Sequence, residues 1–277
     1  MPRSQERNPL MPILRVFTFS PAWGLPSAGP FAIKLLAWLE LAGIPYEQII
    51  EDNPRKGPKG KNPWIELDSE RIGDSELIIE LLSRRFRIDL DAGLSNEQKA
   101  VGLAWRRTFE EHFHQVLEWE LFQHPAGAAY MKTFMSSKMP AIIGPMIFTM
   151  LRSHLRKQLY ARGIARHTPE VIEAKGRSDV DALADFLRDQ PFLLADRPST
   201  ADTALFGLLV PMIYWPMQTP SHPMPSPCRL SPVTATACGS VASPASAPLH
   251  RQWRERRLQK SLSCISCNSA PHCLENS

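Results

Sequence analysis

Apolar positions change their period along this chain, and the changes mark out its elements. Leu14 to Ser20 alternates and is rich in β-formers, so it reads as a strand. Phe31, Leu35, Trp38, Leu39 and Ala42 recur at helical spacing, and Gly43 stands where a helix C-cap belongs. Tyr46 to Ile50 is a second strand, and Asn53 to Asn62 is a basic loop containing Gly and Pro. Trp64 to Leu67 and Arg71 to Gly73 are short strands around an Asp-Ser-Glu turn. Ser75 to Phe86 is a helix with Leu77, Ile78, Leu81 and Leu82 on one face.

This order, β-α-β-loop-β-β-α, is that of a thioredoxin-like unit, here residues 12–88. Beyond Asp89–Ser95 the period stays helical. Residues 95–124, 128–162, 169–190 and 200–214 read as helices with no strand pattern between them. An α/β unit followed by an all-α unit over 95–217 is a two-domain architecture. Ser199-Thr-Ala-Asp202 precedes the apolar run Ala204–Val210 and fixes one helix start. After Met217 periodicity disappears. Residues 218–277 are rich in Ser, Pro and Ala, a composition that predicts a disordered tail. Such an abrupt shift is also what out-of-frame translation looks like.

Composition narrows the function. Residues 1–217 carry 26 basic and 26 acidic side chains; residues 218–277 carry six and two. The net charge of +4 therefore belongs to the tail, which argues against nucleic acid as a partner of the folded body. All five cysteines (Cys228, Cys238, Cys264, Cys267, Cys273) also lie there, so the body has neither disulfide nor thiol nucleophile. No run of 18 apolar residues occurs, so no membrane span is expected. Residues 1–10 are polar, and Met11 is an alternative start.

Chemistry concentrates in Lys61-Asn-Pro-Trp-Ile65, followed by Asp74-Ser75. A proline opening a buried strand needs a special reason, and a cis Asn62–Pro63 peptide supplies one. It would turn the main chain of Asn62 outward to pair with a peptide-like ligand. Asp74-Ser75 at a helix start offers a carboxylate, a hydroxyl and free N–H groups, a set that suits an α-amino acid head group. Lys-Asn-Pro-Trp-Ile…Asp-Ser resembles the glutathione-binding signature of the glutathione S-transferase family. The resemblance implies that Asn62 and Pro63 bind the cysteinyl main chain of glutathione and that Asp74 and Ser75 bind its γ-glutamyl end. Lys61, less surely Lys59, pairs with the glycyl carboxylate. Without a ligand, the same residues are a structural cis-proline and an ordinary N-cap.

Residues 24–35 and Ala42-Gly-Ile-Pro-Tyr-Glu47 resemble the metaxin-like branch that includes the failed axon connections proteins. There a Ser directly precedes the Pro-Phe pair; here that position is Gly29. Activation of the glutathione thiol, with a reference pKa of about 8.5, needs a hydrogen-bond donor at the start of the first helix. Ser27 is the candidate catalytic residue; Ser20 and helix-start N–H groups such as that of Phe31 are alternatives. The resemblance implies a transferase that activates glutathione, used as cosubstrate, for attack on a hydrophobic small-molecule electrophile. It also implies a homodimer in the cytoplasm. The alternative is a non-catalytic glutathione-binding or interaction protein of the metaxin-like type.

Other constellations read as structural. His112 and His114 are two apart on a helix and face different sides, a poor metal pair. Cys264-Ile-Ser-Cys267 with His272-Cys273 mimics zinc spacing but lacks the flanking pattern, so no metal is expected. Met131, Phe134, Met135, Met139, Met146, Ile147, Met150 and Leu151 read as core, with some walling a substrate site.

Overall fold

The computed structural model describes residues 14–188, 190–217 and 219. The expected disorder of 218–277 and the zinc-like cysteines fall, Thr219 apart, outside the described residues. Four strands form one mixed sheet in the order β2-β1-β3-β4. Strand β1 (Leu14–Thr18) runs parallel to β2 (Tyr46–Ile50) and antiparallel to β3 (Trp64–Leu67), which pairs antiparallel with β4 (Glu70–Gly73). Helix α1 (Pro30–Ala42) starts with a proline and ends on Gly43 at φ 68°, a left-handed cap natural to glycine. It packs with α2 (Ser75–Phe86) over a core of Leu14, Val16, Leu35, Leu39, Ile65 and Ile78. This is the thioredoxin-like fold that the pattern predicts.

The second unit is all-α. Helix α3 (Asn96–Arg107) continues through a π turn, Thr108–Phe113, into α4 (His114–Phe122). The expected single helix over 128–162 is two: α5 (Pro125–Ser136) and α6 (Ile143–Ala161). Pro140 lies in the break, and Gly144 returns so close that a Cβ there would sit 2.6 Å from Cα of Ser136. Helices α7 (Pro169–Leu187) and α8 (Thr200–Tyr214) complete the unit. Its core joins Phe109, Phe113, Leu183, Leu187, Leu205 and Leu208.

Asp202 organises the start of α8 as the capping pattern anticipates. It accepts from the Ser199 N–H and O–H at 2.8 and 2.6 Å and from the Leu193 N–H at 2.8 Å. Beyond α8, Trp215, Met217 and Thr219 remain buried, and the Thr219 hydroxyl donates to the buried Glu120 at 2.7 Å. The methionine set is only partly core. Met131 is buried, whereas Met146 and Met150 lie exposed beside Ile142 and Ile143. Among the described residues no helix is long and apolar enough to cross a membrane.

The two units meet where α1 packs on α8. A Cβ at Gly207 would stand 2.6 Å from the Pro30 carbonyl oxygen and 2.7 Å from the Lys34 nitrogen. Only glycine permits that approach. Lys34 extends from this contact to a buried ion pair with Glu110 of the π turn.

Candidate functional site

The β3–β4 register builds the site. Trp64 pairs with Gly73, so Asn62-Pro63 and Asp74-Ser75 emerge side by side from one end of the hairpin. The Asn62–Pro63 peptide is cis. The Asn62 side chain turns inward, where its Nδ2 donates to the Glu51 carbonyl at 2.7 Å. Trp64 is fully buried, with Phe17 stacked on its ring at 3.5 Å and the Arg71 guanidinium 4.2 Å from its centroid. This packing fixes the strand behind the loop.

Asp74 caps α2. Its carboxylate accepts from the Glu76 N–H at 3.0 Å, and its Oδ2 lies 3.5 Å from Nζ of Lys59. Its backbone sits at φ 88°, ψ 115°, well outside the regions comfortable for a non-glycine residue. Strain of this kind collects at ligand sites, where a side chain is held in a set direction. The carboxylate remains substantially exposed, whereas Ser75 beside it is nearly buried. Lys61 is exposed on the same rim.

The loop before α1 forms the second half. Ala22 and Leu25 pair as a tight hairpin turned by Trp23 and Gly24 at φ 53° and 74°. Ser27 is completely buried, and its Oγ accepts from the Gly29 N–H at 3.1 Å. The hydroxyl thus holds the loop, out of contact with solvent. Ser20 is also engaged: its N–H and O–H both donate to Asp52, at 2.8 and 2.6 Å. Pro30 has no N–H, so the first free donors of α1 are the amides of Phe31 and Ala32. A Cβ at Gly29 would meet the Phe19 ring at 2.9 Å.

His114, not among the site residues expected from the sequence, belongs to this region. Its ring stands edge-on to Phe31 at 4.9 Å. Burial holds its pKa below the usual histidine value; Glu118 opposes the shift, and Arg162 and Lys61 add to it. His112 points elsewhere and meets Asp179 at 2.6 Å, so the two histidines face different elements. Burial raises the Asp179 pKa against the pull of His112. The signal for His114 was its spacing: four residues beyond Glu110, it shares the face turned toward α1. Among the described residues there is no cluster of three or more metal-ligating side chains.

Residues 30–127 match the glutathione S-transferase N-terminal domain family, and residues 176–231 match the glutathione S-transferase C-terminal domain family. The second match runs past Met217, and the chain after residue 231 lies outside both. An isoprene-epoxide–glutathione S-transferase of Rhodococcus sp. (strain AD45) is 33% identical over 71% of this chain and 85% of its own length. Failed axon connections of Drosophila melanogaster is 31% identical over 73% of this chain, which spans only half of that protein. Among solved structures, the β-etherase LigF of Sphingobium sp. strain SYK-6 superposes over 72% of this chain and 83% of its own, with a TM-score of 0.51 at 19% identity. That likeness shows the fold alone. Sheet, helical unit and sequence matches agree: the chain belongs to the glutathione S-transferase family.

Proposed function

We propose that this protein binds glutathione along the 61–75 rim and presents its thiolate at the start of α1 to a hydrophobic electrophile. The observation that carries the reading is the register that sets Asn62-Pro63 beside Asp74-Ser75, with the Asp74 carboxylate exposed and its backbone held at positive φ. The main chain of Asn62 pairs with the cysteinyl unit, Asp74 takes the γ-glutamyl ammonium, and the N–H groups of α2 take its carboxylate. Lys61 lies on the same rim for the glycyl carboxylate. The thiol then faces the amides of Phe31 and Ala32, whose partial positive charge favours the thiolate. Sulfur attacks the electrophilic carbon as the bond to the leaving oxygen or halide breaks; an alkoxide so formed takes a proton from water. The kinship with an isoprene-epoxide transferase makes epoxides the first electrophiles to test.

A second reading is a glutathione-binding protein without turnover. Gly29 favours it, because the hydroxyl expected there is missing and Ser27 and Ser20 both hold the loop. Calorimetry with glutathione, paired with turnover of a small epoxide, separates the two. Binding with turnover supports the transferase, binding alone supports the second reading, and no binding refutes both.

A further inference from the structure

Charge is distributed unevenly over the folded body. Residues 121–169 carry seven Lys or Arg and no Asp or Glu, whereas the rest of residues 1–217 carries 19 basic and 26 acidic side chains. The formal neutrality of the body thus conceals a basic helical hairpin, α5 with α6. Among the described residues, Arg162 alone of these seven has a carboxylate partner, Glu118 at 2.9 Å. Arg152 donates instead to the Phe122 and Gln123 carbonyls, at 2.9 and 3.4 Å, and Lys138 donates to the Pro21 carbonyl at 3.3 Å. Carbonyls hold these side chains in place without cancelling their charge. Lys132, Arg156 and Lys157 stand exposed.

The same hairpin carries exposed apolar surface. Ile142 in its turn is 86% exposed, and Met146 and Met150 are 56% and 65% exposed. Steps of three and four residues align Ile143, Met146, Met150, His154 and Lys157 along one outward stripe of α6. The stripe is apolar beside the turn and basic farther along. Large apolar side chains exposed together mark an interaction surface.

We propose that the α5–α6 hairpin docks this protein on the surface of an anionic lipid bilayer. Ile142, Ile143, Met146 and Met150 enter the headgroup boundary, while Arg156, Lys157 and the neighbouring cations meet the lipid phosphates. A bilayer surface matches both halves of the stripe. A nucleic acid satisfies the cations but offers no apolar medium to two isoleucines and two methionines. A second copy of this chain in a two-fold contact would set basic hairpin against basic hairpin. No helix among the described residues is long and apolar enough to cross a membrane, so the contact proposed for this hairpin is peripheral. The proposal is independent of glutathione chemistry.

The test is co-sedimentation of the full chain with vesicles of phosphatidylcholine mixed with phosphatidylglycerol, and with vesicles of phosphatidylcholine alone. The parent is expected to bind the mixed vesicles, to bind the neutral ones at least several-fold more weakly, and to be released from the mixed ones as salt is raised. Each Lys or Arg at an anionic surface changes affinity about fivefold, so Arg156→Gln with Lys157→Gln is expected to weaken binding about tenfold or more. Met146→Gln with Met150→Gln is expected to weaken it by a similar factor, because two apolar side chains no longer leave water. Circular dichroism and melting temperature should stay at the parent's values, since all four side chains are exposed. If the double methionine variant does not fold, Met150→Gln alone takes its place. A parent that ignores the mixed vesicles overturns the proposal. So do folded variants that bind as the parent does, because the basic residues after Met217 would then supply the attraction. Tighter binding to a DNA duplex than to the mixed vesicles, weakened by the cation variant and not by the methionine variant, overturns it in favour of nucleic acid. A methionine variant that changes only the sedimentation coefficient overturns it in favour of a contact between copies.

Discussion

Lys34 on α1 and Glu110 on the π turn form an ion pair across the domain seam, with both side chains almost wholly out of water. Arg106 stands 3.9 Å from Glu110 and 3.0 Å from Glu76 of α2, extending the charges over both units. Burial lowers the Lys34 pKa even though Glu110 pulls it upward, so desolvation outweighs the pairing. Removing one partner strands the other. Lys34→Met alone is therefore expected to cost about 3–5 kcal/mol, whereas Lys34→Met with Glu110→Leu is expected to recover most of that. Urea unfolding of the parent and the two variants checks this; equal losses in the single and double variants would contradict it.

Asp74 carries the ligand-binding prediction. A charge-assisted hydrogen bond to the γ-glutamyl ammonium is worth about 1.5–3 kcal/mol, so Asp74→Ala is expected to weaken glutathione binding at least about tenfold. The same change removes an N-cap, costing about 1 kcal/mol of stability. Asp74→Asn keeps the cap but not the charge. Calorimetry should show both variants weakened, with only the alanine variant clearly less stable.

Gly29→Ser supplies the hydroxyl expected from the resemblance, but not freely. Its Cβ would press on the Phe19 ring at 2.9 Å, an overpacking that costs about 1–3 kcal/mol unless the ring turns aside. The single variant is therefore expected to melt lower than the parent. Gly29→Ser with Phe19→Leu makes room, and its glutathione turnover is expected to exceed the parent's by about one to two powers of ten. Rate measurements on the parent and both variants check the ordering.

His114 gives the pH dependence. Its folded pKa lies below the unfolded value of about 6.5, so the folded state prefers the neutral ring. The stability tied to that preference is fully present above about pH 6.5 and is lost as pH falls through the lower folded pKa. His114→Gln removes this contribution, so its melting temperature should fall less than the parent's between pH 7.5 and 5. Parallel melting curves across that range would assign the acid sensitivity elsewhere.

Much of this was legible because local chemistry agreed with tertiary structure. The alternation of Leu14–Ser20 marks β1, although the strand ends two residues earlier at Thr18; Gly43 after α1 and the Ser199–Asp202 pattern each name an element boundary, and the structure places those two boundaries there. Asn62-Pro63 and Asp74-Ser75 were readable as a pair because a two-strand hairpin brings them together. What escaped were features set by distant partners. The break between α5 and α6 depends on Gly144 packing against Ser136, and the π turn at Thr108–Phe113 has no periodic signature. The burial of Ser27 depends on a loop fold that its own sequence does not declare. The place of His114 escaped because its partner, Phe31, is more than eighty residues away.

The near-contact of Gly207 with the backbone of α1 carries a mechanical consequence. Where two helices touch main chain to main chain, a bulkier residue cannot be absorbed by side-chain rearrangement and must separate the helices. Any side chain larger than hydrogen at position 207 would therefore pry α1 from α8 and disturb the Lys34–Glu110 pair beside the contact.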